Sequence, residues 1–308
     1  MWGVHIRSYA KINLTLAITG MEGQYHTIDS VAASVNLSDY IVLKRRKDDL
    51  INVYMHGYGS ERIPPEKNNA VKAGEAFVEA FRTKGADIEI WKDIPIGAGL
   101  GGSSADASGV LRGMAKLYKI KDDLKPLADT LGSDTGYMLG GGYARMTGRG
   151  EIVQPFSADS KLHFLLFLPS GGVSSGACYK KYDELFPDEK NTSEQAIAAL
   201  QAGDLAALGA SLHNALYQPA CILQEGVGRA YEAAQSFSPL GVVMTGSGSG
   251  VLALFESSEM CAWAKSRYRG ECRVLQLSTI PSAREKLKLN LFRNPFALSE
   301  SETEESEQ

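Results

Sequence analysis

The sequence predicts an α+β protein of two domains, the chain dividing near residue 155. Three observations lead there. At 308 residues the chain is long enough to bury two cores. Strand-like and helix-like periodicities alternate along both halves, which suits sheets covered by helices. A composition break over 155–161 is followed at once by a new apolar run, 163–168.

The elements follow in order. Ile12, Leu14, Leu16 and Ile18 alternate with Asn13, Thr15, Ala17 and Thr19, the period-two pattern of a half-buried strand. Lys11 and Asn13 fall on its other, polar face. Further strands are expected at 40–45, 50–55 and 86–91. Between the last two, a helix starting at Asn68 or Asn69 carries an apolar stripe of Val71, Phe77, Phe81 and alanines 70, 73, 76 and 80. A second helix follows the next glycine cluster, with Val110, Leu111, Met114, Leu117 and Tyr118 on one face. The unbroken run 163–168 reads as a strand buried on both faces. Helices are then expected at 193–202, 204–216 and 225–236. Strands at 241–245 and 251–255 follow, joined by Gly246-Ser-Gly-Ser-Gly250, then a helix at 257–268 and a strand at 272–278.

Bulk properties exclude several classes. Net charge is −4, yet residues 299–308 alone hold five glutamates and no base, so the body is near neutral and nucleic acid is not an expected partner. Residues 291–308 read as an acidic, disordered tail. Cys178, Cys221, Cys261 and Cys272 form no CxxC pair, and they and the five histidines lack metal-ligand spacing. No apolar run approaches the roughly 20 residues that span a bilayer, and no signal-peptide stretch opens the chain. A cytoplasmic protein with reduced thiols and no membrane partner is the expectation.

The segment that carries chemistry is Pro95-Ile96-Gly97-Ala98-Gly99-Leu100-Gly101-Gly102-Ser103-Ser104-Ala105. A glycine-rich turn feeding a helix is a phosphate site, because first-turn N–H groups lack intrahelical acceptors and the helix dipole favours negative charge. Ser103 and Ser104 add hydroxyls that can reach a phosphate or a metal bound to it. An ordinary strand-to-helix connection needs one or two such residues, not four glycines and two serines. No GxxxxGK[ST] occurs, and the HRD and DFG motifs of protein kinases are absent. Gly97, Gly99 and Gly102 satisfy GxGxxG, with Asp122 at the spacing of a dinucleotide site. That acid should end an apolar strand, however, and Lys119-Ile-Lys-Asp is polar.

This segment resembles the central motif of the galactokinase, homoserine kinase, mevalonate kinase and phosphomevalonate kinase superfamily. Tyr9-Ala-Lys-Ile-Asn-Leu14 and Met244-Thr-Gly-Ser-Gly-Ser-Gly250 are similar to its first and third motifs, in the right order. Within it, the chain resembles the 4-diphosphocytidyl-2-C-methyl-D-erythritol kinase family over about residues 7–256. The matching blocks are Ala10–Leu14, Gln24-Tyr25-His26, Leu131-Gly-Ser-Asp134, Gly140-Gly-Gly142, Thr147-Gly-Arg-Gly-Glu151 and Val173-Ser-Ser-Gly-Ala-Cys-Tyr179. Two departures stand out. Thr135-Gly136-Tyr137 replaces the family's Val-Pro-Phe after the aspartate, and Gln24 replaces a glycine before Tyr-His.

The resemblance implies an N-terminal mixed sheet with helices (ribosomal protein S5 domain 2-like, 1–155) and a C-terminal ferredoxin-like α/β sandwich (156–290). It implies ATP-dependent phosphorylation of the 2-hydroxyl of 4-diphosphocytidyl-2-C-methyl-D-erythritol, on the non-mevalonate route to isoprenoid precursors. The cofactors would be ATP with Mg²⁺, the metal ligands being left open, and the assembly a monomer or homodimer. Lys11 and Asp134 would be the catalytic pair, and residues 95–105 would hold ATP. Asn13, Tyr25, His26 and Tyr179 would bind the cytidine-bearing substrate, two aromatics enclosing the cytosine while His26 bonds its edge. From the residues alone, Asn68 is equally an adenine neighbour or a helix N-cap, and Asp134 a turn or capping aspartate. Two other readings remain: a mevalonate, homoserine or sugar kinase of the same superfamily, and a non-catalytic nucleotide-binding relative.

Overall fold

In the computed structural model, residues 3–57, 59–64, 68–185 and 190–280 are described. The tail expected at 291–308 lies outside them. The first sheet is organised by β3 (Tyr25–Arg45), a strand of 21 residues. Its length lets it serve several partners in succession. Antiparallel to it run β1 (Val4–Asn13), β2 (Thr15–Glu22), β5 (Ala86–Trp91) and β6 (Tyr143–Gly148). β4 (Ile51–His56) adds in parallel to β5, and β7 (Ile152–Pro155) antiparallel to β6. The sheet is therefore mixed, as expected, although only the 40–45 end of β3 was visible as a strand in the sequence.

The second sheet is antiparallel, in the order β10 (Gly241–Met244), β11 (Val251–Phe255), β8 (His163–Leu168), β12 (Arg273–Ser278). With α10 (Ser258–Arg267) between the last two strands in chain order, this is the ferredoxin-like arrangement. β8 is buried on both faces. Phe164 and Leu166 join a core with Ile12, Leu14 and Val31 of the first sheet, while Leu165 and Phe167 join a core with Val173, Tyr182, Val227 and Cys261. Each such side chain contributes about 1.5–3 kcal/mol on full burial. That double burial is why the run shows no alternation.

Two expectations change. The segment 12–18 is not one half-buried strand: it breaks at Leu14 into β1 and β2, and every residue from Lys11 to Ile18 is buried. The polar face points into a cleft between the sheets rather than to bulk solvent. The helix expected over 204–216 stops early. It is α7 (Leu205–Ser211), and His213–Asn214 form a short strand, β9, parallel to β2. The His213 and Ala215 N–H groups donate to Leu14 and Leu16 carbonyls, so pairing with a distant strand outweighs local helical preference. The helix expected at 193–202 is α6 (Ser193–Ala202), and that at 225–236 is α9 (Gly226–Gln235). α5 (Ser175–Leu185) and α8 (Tyr217–Leu223) had no periodic signal strong enough to be assigned.

The two helices that matter most for the cleft pack side by side over β1, β3 and β5. They are α1 (Asn69–Phe81) and α2 (Gly102–Tyr118), with Phe77, Val110, Leu111 and Met114 in their shared core with Ile41, Leu43 and Ile88. Asn68 is the N-cap of α1, its side chain accepting from the Ala70 N–H at 2.9 Å. All four cysteines are free.

Candidate active site

A cleft of about 1180 Å³ opens where the two sheets meet. The glycine segment forms one wall. Gly97, Gly99 and Gly101 have φ of +72°, +73° and +68°, and Gly101 is the N-cap of α2. Left-handed backbone at alternate positions favours glycine at each. The first intrahelical bond is from Ala105 N–H to the Gly101 carbonyl, at 2.8 Å. The N–H groups before it have no intrahelical acceptor and stand at the positive end of a 17-residue helix.

This loop is clamped from both sides. From β1, the Lys11 N–H donates to the Leu100 carbonyl at 3.1 Å. From the β10–β11 loop, the Ser249 and Gly250 N–H groups donate to the Gly97 and Ala98 carbonyls at 3.3 and 3.2 Å. The Thr245 hydroxyl donates to the Gly99 carbonyl at 3.1 Å and accepts from the Asn13 N–H at 3.0 Å. All three sequence motifs therefore meet at one loop.

Lys11 and Asp134 face each other across its open side, Lys11 Nζ to Asp134 Oδ2 being 3.1 Å. The Lys11 side chain is 7% exposed and that of Asp134 29%, so the cation is fixed inside while the carboxylate remains reachable from the cleft. Lys11 Nζ also donates to Asn13 Oδ1 at 2.8 Å, and Asn13 Nδ2 donates to Ser30 Oγ at 2.7 Å. Asp134 precedes α4 (Thr135–Gly140) but its carboxylate makes no capping bond. Its charge is spent on Lys11 instead.

Of the departure at Thr135-Gly136-Tyr137, the tyrosine is absorbed locally, whereas the Thr135 hydroxyl is buried without a hydrogen-bond partner among the described residues. Tyr137 is buried, its hydroxyl donating to the Gly142 carbonyl at 2.6 Å and lying 3.1 Å from Ser34 Oγ. Burial, and to a lesser degree the charge of Asp134, pushes its phenol well above the usual range. The tyrosine hydroxyl thus has partners, and α4 still presents Asp134 to the cleft.

At the far end of the cleft, His26 stacks on Tyr179 with ring centroids 4.9 Å apart. The rings leave no gap for a base between them. Tyr25 is 52% exposed, and the Arg149 guanidinium lies 5.3 Å from its ring centre. Asn68 lines the cleft while serving as a cap. Of the expected site residues, Lys11, Asn13, Tyr25, His26, Asn68, Asp134, Tyr179 and all of 95–104 line this single cleft. Ala105 does not. It is wholly buried, with its carbonyl accepting from the Ser8 hydroxyl.

Several cleft groups escaped the sequence reading. Lys92 is buried between Asp39 and Asp106, bonded to both, 2.6 Å from Asp106 Oδ2. It ties β3 to α2 directly behind the glycine loop. Burial pushes the Asp106 carboxyl up to about 8 despite Lys92, with Asp39 adding to the rise. Asp106 directly follows the glycine segment, but nothing local marks Lys92. Arg149 and Lys180 bring cations to the end of the cleft that holds Tyr25 and His26. Arg149 belongs to the quoted Thr147–Glu151 block, which could have flagged it. Asp183 bonds His26 and has no sequence signal at all.

Among the described residues, no group of three or more His, Cys, Asp or Glu could hold a metal ion, and no helix is long and apolar enough to cross a membrane.

The chain is similar to known kinases over most of its length. Residues 68–144 match the GHMP kinases N terminal domain and residues 196–260 the GHMP kinases C terminal domain. A 4-diphosphocytidyl-2-C-methyl-D-erythritol kinase of Cutibacterium acnes is 33% identical over 258 residues, covering 80% of this chain and 83% of its own. One from Caldicellulosiruptor saccharolyticus is 32% identical over 280 residues, 89% of this chain and 96% of its own. A crystal structure of 4-(cytidine 5'-diphospho)-2C-methyl-D-erythritol kinase superposes with a TM-score of 0.75 at 27% identity, covering 89% of this chain and 98% of that one.

Proposed function

The chain belongs to the 4-diphosphocytidyl-2-C-methyl-D-erythritol kinase family, and from that premise we propose how its cleft transfers a phosphoryl group from ATP to the 2-hydroxyl of that substrate. The observation that carries the reading is the Lys11–Asp134 pair, 3.1 Å apart, beside the N-terminus of α2. Phosphoryl transfer asks a protein for positioning and charge stabilisation more than for covalent chemistry. The first-turn N–H groups of α2 and the dipole behind them hold the ATP phosphates. Asp134 accepts the proton of the attacking hydroxyl, a role worth roughly 10²–10⁴-fold. Lys11 holds the Asp134 carboxylate in place and offsets charge developing on the transferred group.

The acceptor lies along the rest of the cleft. Asn13 holds Lys11 in register, and Tyr25, His26 and Tyr179 receive the cytosine, stacking being worth about 1–3 kcal/mol. A diphosphate between base and alcohol needs positive charge, which Arg149 and Lys180 supply at that end. Magnesium fits as an ion carried by the ATP phosphates, since the protein offers no acidic cluster of its own among the described residues. It would neutralise phosphate charge. A soluble cytoplasmic enzyme, monomeric or homodimeric, is the setting we assign.

The test is a coupled ADP-release assay over 4-diphosphocytidyl-2-C-methyl-D-erythritol, mevalonate, homoserine and galactose. Turnover should be confined to the first; activity on another alone would overturn the assignment. Asp134→Asn should lower kcat by roughly 10²–10⁴-fold while ATP still binds. Unchanged turnover would remove Asp134 from the mechanism.

A further inference from the structure

The His26 imidazole is held from three directions by one helix. Tyr179 stacks on its face, Tyr182 meets it edge-on at 6.0 Å, and Asp183 Oδ1 lies 2.7 Å from its Nε2. All three residues belong to α5, within four positions of one another on one helix face, so ring plane and ring rotation are set together. The His26 side chain is only 11% exposed, yet it lines the cleft, and its Nδ1 has no hydrogen-bond partner among the described residues.

The bond to Asp183 constrains more than position. An ionised carboxylate only accepts, so Nε2 must carry the hydrogen. In the neutral ring this leaves Nδ1 as a bare acceptor. We propose that Asp183 is a specificity-determining positioning residue, which fixes the His26 tautomer so that the cleft selects a cytosine base over uracil. The two bases differ at the exocyclic position on C4 and at the neighbouring N3, which is a bare acceptor in cytosine and an N–H donor in uracil, so the discrimination is made at the exocyclic group. Cytosine carries an exocyclic amino group, which can donate to Nδ1, whereas uracil carries a carbonyl oxygen there. Two acceptors facing each other leave both unpaired, and a site built to hydrogen-bond a group rejects an analogue that lacks it far more strongly than a merely apolar pocket does. This inference rests on the reading of the cleft as a cytidine-bearing alcohol site.

Asp183 is itself 54% exposed, so replacing it should not endanger folding. The experiment compares kcat/KM for the diphosphocytidyl and diphosphouridyl forms of the substrate, with CDP and UDP binding by calorimetry as a second readout. Wild type should favour the cytidine form by about 10²-fold, an acceptor–acceptor mismatch in a partly open site falling below the 10⁴–10⁵ of enclosed ones. Asp183→Asn can donate to Nε2 and turn the tautomer round, and should bring the ratio within about tenfold. Most of the change should lie in KM, as expected for lost ground-state binding. Asp183→Glu should keep the wild-type preference. Nitrogen NMR of His26 should show hydrogen on Nε2 in wild type and a shift toward Nδ1 in Asp183→Asn.

An unchanged base ratio in Asp183→Asn, equal loss on both bases, or hydrogen on Nδ1 in wild type would each overturn the inference. If wild type phosphorylates neither substrate, the kinase reading fails. The CDP-to-UDP binding ratio and the NMR still decide the role of Asp183 in that case.

Discussion

Gly99→Ala should be among the most damaging single-atom-scale changes in the cleft. A Cβ at Gly99 would sit 1.9 Å from the Thr245 carbonyl oxygen and 2.8 Å from its carbon, where ordinary contact begins at 3.4 Å. Both neighbours are backbone, so no rotamer change relieves the overlap, and the two loops must separate by about 1.5 Å. That strains or breaks the Thr245–Gly99, Ser249–Gly97 and Gly250–Ala98 hydrogen bonds, each worth about 1 kcal/mol net. Holding alanine at φ +73° costs about 1–2 kcal/mol more. The sum is about 4–5 kcal/mol, which for a chain of this size lowers Tm by about 10–15 °C. Thermal unfolding measures the loss, and the ATP KM should rise as the first turn of α2 moves. Gly176→Ala is the control. Nothing lies within 4 Å of its Cβ position on α5, so it should hold or raise stability by up to about 1 kcal/mol. A Gly99→Ala Tm within about 2 °C of wild type would refute the clamped-loop argument.

Two further outcomes are expected. Tyr137→Phe removes a buried hydroxyl bonded to the Gly142 carbonyl and near Ser34, and should cost about 1–2 kcal/mol in denaturant unfolding. Its kcat should stay within about threefold, because Asp134 is held by Lys11 rather than by this hydroxyl; a large kcat loss would contradict that. Asp106 holds its proton up to about pH 8 in the folded chain, but only to 3.8 unfolded. Between those values the folded state binds more protons, so this group makes stability fall as pH rises. Asp106→Asn should therefore flatten the stability profile from about pH 4 to pH 8. An unchanged slope across that window would contradict the buried, raised carboxyl.

Much of the site was legible in the sequence because its parts are local. Alternate glycines before a helix announce left-handed backbone and a free helix start, and both are present at 97–102. The apolar run 163–168 announced a strand enclosed on both faces, and the cores on either side of β8 explain its composition. Periodicity failed where the environment did not match the pattern. Residues 12–18 alternate correctly, yet both faces are buried, because a second sheet and a cleft cover what would otherwise be solvent.

What residue order determined by itself, then, were turns, helix faces and the motif blocks, each set by backbone sterics and burial within a few residues. Distance in space was left to the tertiary structure. Asp134 reads locally as a capping aspartate, and only its approach to Lys11, 123 positions away, gives it a different role. The Lys92 cluster joins β3, β5's end and α2, and the Asp183–His26 bond joins residues 157 apart. Charges buried or paired in this way are stable only where the fold brings partners together, since an unpaired buried charge is costly. No local pattern encodes that meeting. The loop could be found from its glycines, but which carboxylate meets Lys11, and which meets His26, are decided by packing.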